Sequence, residues 1–124
     1  MSTPARIEIV DEGATRFVRF LDRRLFDDRT VREVAEQLAA VLPPDDSPIR
    51  LILDFSSVDS LASSLLGKLV VLQRRVEKAG GTLRLCEMST NVRAVFRTSN
   101  LDRLFAIDRD RREAAEAAEA AEAD

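Results

Sequence analysis

The sequence predicts an α/β fold, a layer of helices on a sheet whose centre is largely parallel. Three observations carry this. "IRLILDF" (49–55) is a nearly continuous apolar run, the pattern of a strand buried on both faces. In the second half, segments of helical period stand between successive strand-like runs, which favours parallel pairing through crossovers. With 124 residues, 45% of them hydrophobic, the chain is large enough for one core and too small for two.

Taken in order, "RIEIV" and "TRFVRFL" alternate apolar and polar residues around the turn-like "DEGA", predicting a hairpin closed at Gly13. From Thr30 the period changes. Val31, Val34, Ala35, Leu38, Val41 and Leu42 recur at helical spacing, and Thr30 with Glu33 forms a T-x-x-E capping box, so a helix is expected from Thr30 to about Leu42. "PPDDSP" breaks it before the buried strand. The longest helical pattern follows "SSVDSLA", with Leu65, Leu66, Leu69, Val70, Leu72 and Val76 on its apolar side, and Gly80-Gly81 ends it. "TLRLCEM" is a further strand, "STNVRAVFRTSN" a short helix carrying Val92, Val95 and Phe96, and "LDRLFAI" a short last strand.

Charge and composition bound the chemistry. The net charge is −3, but from Asp108 onward seven acidic side chains face three basic ones, which leaves the body close to neutral. No basic stripe is visible, which argues against nucleic acid, and Arg23-Arg24 and Arg74-Arg75 read as solvated faces. The ending "EAAEAAEAAEAD" places Glu at every third position with no lysine to answer it. It reads as a solvated, partly helical acidic tail over residues 109–124, outside a domain of residues 1–108; an acidic lure for a basic partner is the other reading. The single Cys86 lies in an apolar run, where a buried reduced thiol fits better than a reactive one. With no apolar leader and no span long enough for a bilayer, the expectation is a cytoplasmic protein without membrane insertion.

The chain contains no histidine, so the commonest general acid–base is missing, and no metal-ligand spacing or nucleotide-binding loop stands in for it. No catalytic residue, metal or cofactor is expected. What remains is a cluster of hydroxyls: "VDSLASSLLGKL" (58–69) holds three serines within five residues at the start of the longest helix. Two readings stand side by side, a helix cap and a regulatory hydroxyl.

Over roughly residues 49–107, with a weaker likeness over residues 5–42, the order and spacing of motifs resemble the STAS domain of anti-sigma-factor antagonists: a strand ending in Asp54, a serine-bearing loop opening a long helix, Gly-Gly, a strand, "S-T-N-V-R-A-V-F" and "S-N-L-D-R-L-F". The resemblance implies a mixed central sheet of about five strands with helices packed mainly on one face. It also implies a regulatory protein-interaction module rather than an enzyme. In that family the unphosphorylated protein binds an anti-sigma factor that is also a serine kinase, phosphorylation ends the binding, and a PP2C-type phosphatase restores it. Matched on Leu66-Gly67, the phosphorylated position is Ser63. The implied docking face comprises Ser60, Ala62, Ser63, Ser64, Leu65, Gly67 and Lys68, and Asp54 supports the loop. Ala62 stands where the family usually has Asp, and Leu65 where it has Gly. The resemblance equally covers members that are never phosphorylated and serve as scaffold or docking subunits of signalling assemblies and transporter ATPases. Oligomeric state is left open.

Overall fold

A computed structural model describes residues 3–123. Met1 and Ser2 of the expected domain and Asp124 of the expected tail lie outside the described residues. The alternating N-terminal segments form the hairpin: β1 (Ile7–Glu12) pairs antiparallel with β2 (Thr15–Phe20). Gly13 sits in the turn at φ +59°, where a side chain would be strained. β1 is an exposed edge, whereas β2 is buried along most of its length.

Helix α1 spans Asp28–Val41. The expected cap is corrected. Asp27, not Thr30, starts the helix, its carboxylate accepting the Thr30 backbone N–H at 3.1 Å. Hydrogen bonds from Thr30 hold that carboxyl below the usual range. A carboxylate three residues earlier outcompetes the threonine hydroxyl, and Glu33 is left inside the helix, buried, between Arg6 (3.5 Å) and Arg29 (3.3 Å).

The remaining elements are β3 (Arg24–Leu25), β4 (Arg50–Asp54), β5 (Ser60–Leu61), α2 (Ser63–Lys78), β6 (Thr82–Cys86), α3 (Thr90–Thr98), a 3₁₀ turn at Leu101–Arg103, β7 (Ala106–Ile107) and α4 (Arg111–Ala123). The main sheet is mixed and five-stranded in the order β1-β2-β4-β6-β7, antiparallel only in the hairpin. β3 and β5 form a separate parallel pair. Two residues each carry no readable period, so neither is visible in the sequence. α2 ends as the double glycine requires: Gly80, at φ +82°, donates to Glu77 O and Gly81 to Val76 O. A Cβ on Gly81 would lie 2.4 Å from Ile49 O, so the helix-to-strand corner closes only with glycine there.

Strand alternation divides the apolar residues between two faces. Val18, Phe20, Leu51, Leu53, Leu83 and Leu85 meet α1, α2 and α3 in the main core. Phe17, Ile52 and Cys86 point the other way. Expectation and structure part company here: the stretch read as a solvated tail is α4, packed on that second face with Ala114 and Ala118 fully buried. Alanines four residues apart present a smooth stripe that lets the helix backbone lie close to the sheet, so no bulky side chain is needed. Arginines supply what lysines do not. Arg109 pairs with Glu113 and Arg112 with Glu116, each i,i+4. The carboxylates of Asp110 and Glu87 accept first-turn N–H groups from Glu113 (2.9 Å) and Arg111 (3.0 Å). Of the four α-helices among the described residues, three thus cover one face and the fourth seals the other. Burial, with the Asp54 charge beside it, pushes the Cys86 thiol up to about 12, as befits an inert core thiol.

Candidate functional site

Every parallel strand of the main sheet ends at the same edge, so the segments after β2, β4, β6 and β7 gather there, the usual place for recognition in an open α/β sheet. β4 delivers Asp54 to it. The Asp54 side chain, 3% exposed, accepts the Ser56 N–H at 2.8 Å and lies 3.5 Å from the Arg111 guanidinium. Its first contact folds the chain back immediately after the strand. The second ties the turn to α4, whose Arg111 also sits 4.3 Å above the Phe17 ring.

Beyond the turn, the chain is anchored from below and from the side. Phe55, Val58 and Leu61 are buried, and Phe55 stacks 4.7 Å from Phe20 and edge-on to Phe96. Asp59 and Ser60 donate their N–H groups to Arg23 O, and Ala62 donates to Leu25 O. Arg23 pairs with Asp59 at 2.7 Å, and Arg19 donates to Ser57 Oγ at 2.9 Å. The loop is therefore held in one shape by backbone pairing with β3, and one residue past that pairing Phe26 stands 53% exposed beside Ala62.

α2 then begins without a cap. Ala62 occupies the N-cap position, makes no side-chain hydrogen bond, and no acidic residue follows in the first turn. The free N–H groups and positive end of the helix are left unanswered by side chains. Ser63 and Ser64 occupy the first two helical positions, both exposed, and neither hydroxyl has a hydrogen-bond partner among the described residues. Ser63 is thus no cap. Of the other expected docking residues, Ser60 and Ala62 are half-buried and Gly67 and Lys68 exposed. Leu65 is corrected: it is fully buried in the main core, so it neither meets a partner nor blocks one. A Cβ on Gly67 would touch nothing within 4 Å. Nothing inside the chain calls for that glycine, although glycine within a helix costs about 1 kcal/mol relative to alanine.

Sequence reasoning missed Phe26 and Arg111. An exposed phenylalanine has no distinguishing pattern, and Arg111 gains meaning only once α4 is docked. Among the described residues no three metal-ligating side chains come together, and no helix is long and apolar enough to cross a membrane.

The family described as "Mlab, STAS domain" matches residues 25–107. The chain belongs to the STAS domain family. BtrV of Bordetella bronchiseptica, assigned as an anti-sigma factor antagonist, is 33% identical over 83 residues, covering 65% of this chain and 72% of BtrV. Among solved structures, a STAS domain protein from Planctomyces limnophilus aligns with TM-score 0.79 at 23% identity, covering 91% of this chain and 97% of that one. An anti-sigma factor antagonist from Mycobacterium paratuberculosis aligns with TM-score 0.79 at 22% identity, covering 91% and 92%. At such identities the structures speak for the fold alone, and the STAS sheet and helix order are those described above.

Proposed function

We propose that this STAS domain is a cytoplasmic anti-sigma-factor antagonist that switches partners through phosphorylation of Ser63. The observation that carries the reading is an exposed serine on the first turn of a helix that has no cap of its own. A phosphate there meets free backbone N–H groups and the positive end of the helix dipole, so the host fold accommodates it. The docking face meanwhile acquires about −1.5 to −2 charges. Gly67, one turn along and open to solvent, leaves space for a partner to approach closely. The likeness to BtrV supports an anti-sigma factor as the partner; a partner with serine kinase activity and a PP2C-type phosphatase complete the cycle. Asp54 acts structurally, by fixing the loop.

Incubation with the cognate anti-sigma kinase and ATP, followed by phosphosite mapping and affinity measurement, tests this. Phosphate is expected on Ser63, with Ser63→Asp weakening the complex, Ser63→Ala still binding, and Ser64→Ala still phosphorylated. Phosphate on Ser64, or an affinity indifferent to Ser63→Asp, would remove the switch and leave an unphosphorylated docking subunit.

A further inference from the structure

The outward side of α2 carries Lys68, Arg74, Arg75 and Lys78, with Glu77 the one carboxylate among them, and none of the four cations has an ion pair or hydrogen bond among the described residues. This is unlike the cations in and beside the main sheet and α4. Arg6, Arg16, Arg19, Arg84, Arg109, Arg111 and Arg112 are all paired with carboxylates. In a chain of net charge −3, α2 thus carries four of the nine cations without a side-chain partner among the described residues, the others being Arg24, Arg32, Arg93, Arg97 and Arg103.

Along the same side runs a groove of about 170 Å³ between α1 and α2. Its floor is Leu38 and Leu72, both buried; Ala35 and Ala39 leave it open where larger side chains would fill it; Val71, 58% exposed, forms its lip. Lys68 and Arg75 stand at its two ends, seven residues and therefore about 10 Å apart along the helix. The space is smaller than the roughly 300–1,000 Å³ of a small-molecule site and suits one or two aliphatic side chains of another protein. On the α1 side the nearest exposed charges, Arg32 and Glu36, offset each other.

We infer that this groove docks an acidic amphipathic helix of the partner, one aliphatic side chain entering against Val71 and a carboxylate on either side meeting Lys68 and Arg75. The inference rests on the partner-switching reading for the identity of that partner, and it deepens it. Ser64 lies one turn before Lys68, and Ser63 one turn before Gly67, so the groove runs alongside the Ser63 face of the same helix, and a phosphate near its upper end repels an acidic occupant. The apolar floor argues for a protein rather than a nucleic acid, whose backbone makes no use of Val71 and Leu38.

The test titrates the full chain with an alanine-based helical peptide bearing a central leucine between two glutamates seven residues apart, and with its lysine counterpart, followed by backbone amide NMR. Saturable shifts at Ala35, Ala39, Lys68, Val71 and Arg75 are expected with the glutamate peptide. At least about tenfold weaker binding is expected for the lysine peptide and for the Val71→Asp and Lys68→Glu variants, whose melting points stay unchanged because both positions are exposed. Equal affinity for the two peptides, shifts elsewhere, tighter binding of single-stranded DNA, or self-association through the same amides would overturn the proposal. The cognate anti-sigma factor separates this failure from failure of the functional reading. Sensitivity to Ser63→Asp but not to Val71→Asp or Lys68→Glu sinks the groove alone, whereas peptide binding without anti-sigma binding sinks the switch.

Discussion

Ala62 and Ser63 exchange the roles their side chains suggest: the residue at the capping position has no polar group, and the hydroxyl next to it has no partner among the described residues. Ser63→Ala should accordingly shift stability by less than about 0.5 kcal/mol. Ala62→Asp or Ala62→Ser should instead stabilise by about 1 kcal/mol, because it supplies the missing acceptor for the first-turn N–H groups. Urea unfolding of the three variants measures both effects, and a substantial loss in Ser63→Ala would mean that the serine caps after all. The cluster of serines was legible in the sequence, and so was the helix that follows. Which hydroxyl is free was not, since a shift of one residue in the helix start turns a cap into an exposed side chain. Leu65 was misread for a related reason. A departure from a family glycine says nothing about direction, and at this position the side chain points into the core.

At the scale of elements, legibility follows side-chain size. α1 and α2 were readable because leucine and valine recur at helical spacing, and β4 because its apolar run is unbroken. α4 was not, because alanine is equally at home in solvent and against a sheet, and only Phe17, Ile52 and Cys86, which stand on three different strands, reveal that a face needed covering. Removing α4 bares those three side chains and strips Asp54 of Arg111. Truncation after Asp110 should therefore lower stability by at least about 2 kcal/mol, the order expected for exposing one large apolar side chain, with a further loss from the unpaired carboxylate. Thermal melting of the truncated chain checks this, and an unchanged midpoint would show that α4 contributes nothing to the fold.

Over the whole molecule, titration is simple. With no histidine, no side chain has an ordinary value between pH 5 and 8, and with no tyrosine and only two lysines the alkaline limb is nearly empty. Cys86 fills it. Its folded value, about 12, lies above the unfolded value near 8.5, so the folded state holds a proton that the unfolded chain releases. The resulting stabilisation is complete below pH ~8.5 and declines from there towards 12. Stability should form a plateau through neutrality and fall above pH ~8.5, and Cys86→Val should flatten that fall; denaturant midpoints across pH 7–10 measure it. The mixed sheet itself was anticipated, since a hairpin followed by strand–helix alternation admits few other arrangements.

Placing the only sulfur of its kind beneath α4 also gives the chain a natural clock. A thiol reagent cannot reach Cys86 while the helix lies on the sheet, so the rate at which unmodified protein becomes labelled reports how often α4 lifts away. Because Arg111 belongs to that helix and grips the carboxylate that turns the chain at Ser56, ahead of Ser63, the same lifting releases one end of the recognition loop. Labelling that slows when a partner is bound would mean that the two faces of the sheet, which share no surface, are read as one.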